Sequence, residues 1–166
     1  MRRFLTRLAR EGGATAEAAQ RLARVLEIHF NKEESFAAPP LGLLPRLARG
    51  DFQPGMADAL AHTDWLRQNI TTMLAEHRLI AAAVEELLKA AGAQASPELV
   101  TFAETLLNHA RIEEEVLYPA AIVAGEYLKL RLAERAAITV RSKVGKGSTF
   151  TVRFPSGSEP AKAQAA

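Results

Sequence analysis

Apolar residues recur along most of the chain at the three-and-four spacing of an α-helix. Leu22, Val25, Leu26 and His29 follow i, i+3, i+4, i+7, and Glu33 continues that face one turn later. This predicts an amphipathic helix that carries an imidazole on its apolar side. A short helix precedes it, with Phe4, Leu5 and Leu8 on one face and Gly12 and Gly13 as its stop; Thr15 is placed to cap the next. Pro39 and Pro40 are expected to end the His29 helix, because the residue before a proline avoids the α region. "LGLLPRLARG" then makes one short helix ending at Gly50. A long helical segment opens at Pro54 and continues to about Ala91. It exceeds the usual ~8–20 residues, so a break or kink is expected near "RQNITT", where Ile70, Thr71 and Thr72 are weak helix formers. Gly92 closes this segment, Ser96 caps the next helix and Pro97 takes its first position. That helix carries His109 and Glu113 and reaches about Tyr118, with Pro119 opening a last helix.

The periodicity changes at residue 136. "AITVRSKVGKGSTFTVRFP" alternates apolar and polar residues, with "VGKG" as the turn, which predicts a β-hairpin. The small, polar "SGSEPAKAQAA" after it reads as a disordered tail. Three parts are therefore expected: a helical bundle over residues 1–135, a hairpin over 136–155 and a tail over 156–166. A hairpin alone is marginal in water, so it must dock on the bundle, pair with another chain through its edges or stay mobile. Pairing would make a homodimer.

Composition narrows the chemistry. The 166 residues are 48% apolar and 24% charged, ordinary for a soluble globular protein. There is no cysteine, which excludes disulfides, thiol catalysis, iron–sulfur clusters and Cys-ligated zinc, and fits a reducing, cytoplasmic compartment. Any metal must be held by histidine and carboxylate. No apolar run approaches the ~18 residues that span a bilayer, and "MRRFLTRLAREGG" lacks the apolar core and cleavage site of a secretory signal. The net charge of +2 hides an asymmetry: residues 136–166 carry +4 and residues 1–135 carry −2. The body has no basic stripe, so nucleic-acid binding finds no support.

The candidate chemistry lies in a half-repeat. "HFNKEESFAAPP" and "HARIEEEVLYPA" align at His, Glu, Glu and Pro. Residues at i and i+4 are neighbours on one helix face, so His29 with Glu33, and His109 with Glu113, can each present a nitrogen and an oxygen to one point. His77 supplies a third imidazole from a face continued by Ile80, Ala81 and Val84. Three histidines and two glutamates form an N/O set suited to iron, zinc or manganese. A single H-x-x-x-E is usually an exposed pair contributing ~0.2–1 kcal/mol; two copies in matching context with a core-facing histidine favour a metal. Glu34, Glu114 and Glu115 read as solvated or supporting residues, and His62 as an ordinary polar one. The Glu-x-x-His motif of ferritin-like di-iron bundles does not occur.

These stretches together resemble a bacterial hemerythrin-like (HHE cation-binding) domain, over roughly residues 14–132. The resemblance implies an all-α, up-down four-helix bundle, here with a short C-terminal β-hairpin appendage. It implies non-heme iron, two ions per chain if the site is complete and one if it is not, binding or sensing dioxygen, nitric oxide or iron. By matching motif the ligands would be His29, Glu33, His77, His109 and Glu113, with the two glutamates bridging. Family members usually supply another histidine from the first helix, whereas residues 1–28 contain none. Ala81 stands where the blood-pigment hemerythrins have a second histidine. "ITVRSKVGKGSTFTVRFP" resembles the last hairpin of a histidine-kinase ATPase domain, but the rest of that nucleotide pocket has no counterpart. No residue set reads as catalytic. Two other functions stay open: an oxidase or peroxidase at the same centre, and a metal-free interaction or signalling module.

Overall fold

The structure, a computed structural model, describes residues 2–136, 138–143 and 147–152. Six α-helical stretches build the bundle: α1 (Arg2–Leu8), α2 (Gly13–Lys32), α3 (Ala38–Ala48), α4 (Ala59–Ala91), α5 (Pro97–Ile112) and α6 (Tyr118–Ala136). They form four rods, because a π-helical turn at Glu33–Ala37 joins α2 to α3 and another at Glu113–Leu117 joins α5 to α6. Three rods are long and the first, α1, is a stub packed on α2. Ile138–Lys143 and Gly147–Val152 pair antiparallel, Val140 opposite Phe150. The turn residues 144–146 and the expected tail over 156–166 lie outside the described residues.

Local chemistry accounts for most of the ends. The Ser96 hydroxyl accepts the Leu99 amide at 3.2 Å, with Pro97 next to it where a missing N–H costs nothing. Gly12, Gly13, Gly50 and Gly92 all have positive φ, which L side chains resist.

Three expected breaks are absent. The α4 helix runs unbroken from Ala59 to Ala91. Burial of Leu66 and Met73 on either side of residues 67–72 outweighs the weak propensity there, and Ile70 packs against the same cluster. Pro39, Pro40 and Pro119 likewise end nothing. In an α-helix a proline ring clashes with the carbonyl four residues back. For Pro39, Pro40 and Pro119 that carbonyl belongs to Ser35, Phe36 and Glu115, all inside the π turns, where the wider coil carries it away. The i→i+5 bonds are explicit: the Ala38 amide donates to the Glu33 carbonyl and the Tyr118 amide to the Glu113 carbonyl.

The core falls into three apolar clusters. Leu22 and Leu26 meet Ile80, Val84, Leu87 and Leu106 at one end. Leu66, Met73, Tyr118 and Ala121 follow, and Leu47, Phe52, Met56 and Leu128 close the other end. Early α2 thus packs on late α4, the signature of up-down rods. Along each rod the candidate ligands fall between the first cluster and the second: His29 after Leu26, His77 between Met73 and Ile80, Glu113 between Leu106 and Tyr118. Farther along, α4 and α6 approach closely at Gly125, where an added Cβ would stand 2.6 Å from the Cβ of the fully buried Thr63.

Candidate metal centre

Three rods deliver the polar residues to one level of the core. His29, His77 and Glu113 are buried and Glu33 is nearly so. One ligand atom from each of these four falls within 4.8 Å of the other three. The two Nε2 atoms of His29 and His77 face each other at 2.8 Å. Glu33 Oε1 lies 3.2 Å from His29 Nε2, and Glu113 Oε2 lies 3.4 Å from His77 Nε2. His109 stands outside this group of four. Its Nε2 meets the other Glu113 oxygen, Oε1, at 2.8 Å, and its side chain is 37% exposed.

The outer nitrogens explain why the inner ones converge. Glu76 Oε2 lies 3.0 Å from His29 Nδ1 and Glu114 Oε1 lies 2.8 Å from His77 Nδ1. A carboxylate there keeps the proton on Nδ1 and turns the Nε2 lone pair inward, the usual support behind a metal-bound histidine. Lys32 also bonds to Glu76, so that carboxylate is anchored in turn. Tyr118 completes the shell: its Oη donates to Glu33 Oε1 at 2.6 Å, lies 3.3 Å from His77 Nε2, and its ring is parallel to that of His77 within 18°.

These donors fit a cation. Two Nε2 lone pairs at 2.8 Å repel unless something positive lies between them. Glu113 Oε2 is buried without a hydrogen-bond partner, which is costly for a carboxylate. Protons carry the positive charge where no metal does. Burial alone would lower the His29 pKa, but its bonds to Glu33 and Glu76 outweigh that and hold it above the ordinary value. His109 is raised chiefly by its bond to Glu113, against a smaller opposing effect of burial. Burial would raise Glu113, yet its bond to His109 and the His77 imidazole close by pull it down to about 2. A divalent ion would replace the shared protons at the same point.

Of the five expected ligands, four are brought together and the fifth, His109, attaches through Glu113. His62 is not part of the site. It sits in α4 with its ring 6.0 Å from that of Phe36, which stacks on Trp65 at 3.8 Å. Sequence reasoning missed Glu76 and Tyr118. Glu76 acts across to another rod, which no single-helix pattern reveals. Tyr118 follows Glu113 by five positions, about 140° off its face in an α-helix; the π turn brings it back.

The chain matches the hemerythrin HHE cation binding domain over residues 1–121 and belongs to that family. No curated protein and no solved structure matches it. Among the described residues no helix is long and apolar enough to cross a membrane.

Proposed function

We propose that this protein binds non-heme iron through His29, Glu33, His77, His109 and Glu113, and uses the centre to bind or sense dioxygen, nitric oxide or iron itself. The observation that carries this reading is the compact donor group with a carboxylate behind each inner histidine. Bound iron would supply an open position where a diatomic molecule accepts electron density. The protein's own part is to hold neutral Nε2 donors in place, balance the charge with two carboxylates and keep bulk water out. A cavity of about 150 Å³ reaches Glu33, Glu113 and Tyr118 between Ala37, Ala38 and Leu41 on one rod and Leu117 on the other. It is large enough for a diatomic.

The four clustered donors alone suit one ion. They lie within 4.8 Å of one another, slightly beyond the ~4.4 Å that two donors at ~2.0–2.2 Å from one ion can span, so the site would have to draw in slightly around it. Two ions ~3.5–4 Å apart would spread their outer donors farther. The second would have His109 as its single imidazole, since residues 1–28 offer no other. We extend the proposal to the chain's organisation: a bundle over residues 1–135, a hairpin appendage over 136–155 whose edges could pair two chains, and a separate tail. The absence of cysteine suits a cytoplasmic setting.

The test is iron per chain after anaerobic loading with ferrous iron, with absorption recorded before and after air. One iron per chain supports the single centre, and two with a new near-ultraviolet oxo-bridge band support a di-iron centre. A chain that retains no iron would leave a metal-free interaction module. Peroxide turnover by the loaded protein would move it to the oxidase or peroxidase class.

A further inference from the structure

We infer that Tyr118 is an additional ligand of this centre, its phenol oxygen binding ferric iron as the phenolate beside Glu33 and His77. The inference rests on the iron-binding reading above and deepens it.

The geometry carries the assignment. Adjacent donors at ~2.0–2.2 Å from one ion stand roughly 2.8–3.6 Å apart. The Tyr118 oxygen lies 3.3 Å from His77 Nε2, within that range. Its 2.6 Å distance to Glu33 Oε1 is that of a short O–H···O⁻ bond, with the proton still between the oxygens. The same spacing holds from His29 to Glu33 at 3.2 Å and from His77 to Glu113 at 3.4 Å. Tyr118 thus occupies a donor's place in the same lattice of distances. It is held there firmly: the side chain is 1% exposed, and the ring lies against the His77 imidazole. The backbone is shaped for it as well, since only the π turn from Glu113 to Leu117 swings a residue at position five onto the glutamate's face. At the matching place in the other half of the repeat stands Ala38, which leaves room beside the phenol.

The chemistry is consistent with this placement. The compact group holds only two nitrogen donors, and tyrosinate is a known ligand type for iron. Coordination breaks the phenol O–H bond, forms an O–Fe bond and releases one proton to solvent. No electron moves, because the iron is ferric before it binds. A trivalent ion in contact favours the deprotonated phenol, as cations do for other coordinating groups.

The experiment loads the full chain, Tyr118→Phe and Tyr127→Phe with ferric iron supplied as its citrate complex. Iron per chain, visible absorption and resonance Raman spectra are then measured. The expected result is a visible charge-transfer band with phenolate ring vibrations in the unaltered chain and in Tyr127→Phe. Tyr118→Phe should lose both signals while His29, Glu33, His77 and Glu113 retain iron. The chain has two tyrosines, so signals that persist in Tyr127→Phe belong to Tyr118 even if Tyr118→Phe does not fold. Iron bound without phenolate vibrations would overturn the inference and leave Tyr118 as a hydrogen-bond donor to Glu33. So would an unchanged band in iron-loaded Tyr118→Phe. An unaltered chain that retains no iron would overturn the iron-binding reading and this one with it.

Discussion

A histidine can offer Nε2 to a metal only if its proton is kept on Nδ1. Glu76 does this for His29 and Glu114 for His77. Loss of such a partner typically costs ~10–100-fold in metal affinity. Glu76→Ala should therefore weaken iron binding by about that factor, read by competition with a chelator; an unchanged affinity would mean His29 is oriented by packing alone. Removing a donor should act more severely. Glu113→Ala takes away the carboxylate that touches both His77 and His109, and iron loading should be lost. His109→Ala should leave one ion per chain, bound more weakly, whereas His62→Ala should change nothing. A clear loss of iron in His62→Ala would place that residue at the site after all. At this scale the sequence was readable where a residue and its neighbour share one helix: His29 with Glu33, and His109 with Glu113. It was unreadable where the partner comes from another rod, as Glu76 does.

Helices were legible from their apolar spacing, but their continuity was not. Proline and β-branched residues are local signals, and here burial outweighs them. Leu66 and Met73, fully buried around residues 67–72, keep α4 continuous through its weakest stretch. The two π turns each begin at the glutamate of an H-x-x-x-E stretch, so the sequence repeat is also a backbone repeat. Its register cannot be read with a period of 3.6, which is why Tyr118 was assigned to no face. Gly125 is another feature that periodicity cannot show. It marks the place where α4 and α6 approach within the reach of one methyl group. Gly125→Ala gains helix propensity of up to about 1 kcal/mol, but the new Cβ collides with Thr63, and overpacking typically costs ~1–3 kcal/mol. Denaturant unfolding should show a net loss of stability with an unchanged slope. A stabilised variant would mean that Thr63 moves aside freely, and Thr63→Ser in the Gly125→Ala background should recover part of the loss.

For the molecule as a whole, the buried centre couples folding to both protons and metal, with opposite signs. In the metal-free chain His29 and His109 have raised folded pKa values. Their contribution to stability is complete below the unfolded histidine value of about 6.5 and is lost as pH rises through the raised folded values. His109 is partly exposed, so the larger share belongs to His29. Glu113 acts at the other end: its contribution is present above the ordinary glutamate value of 4.5 and is lost as pH falls toward about 2. The metal-free protein should therefore be most stable in mildly acidic solution and melt at lower temperature as pH rises above neutrality. Iron reverses the upper limb. It binds deprotonated imidazoles, so its affinity grows over the same interval in which the metal-free chain weakens. Since bound metal adds stability as RT ln(1 + [M]/Kd), the gap between loaded and metal-free melting temperatures should widen from pH 6 to pH 8. The measurement is a pair of melting curves across that range, anaerobic, with ferrous iron and with chelator. A gap that stays constant would show that His29 and His109 give up no protons to the metal. The absence of any gap would remove the metal from the account of this fold.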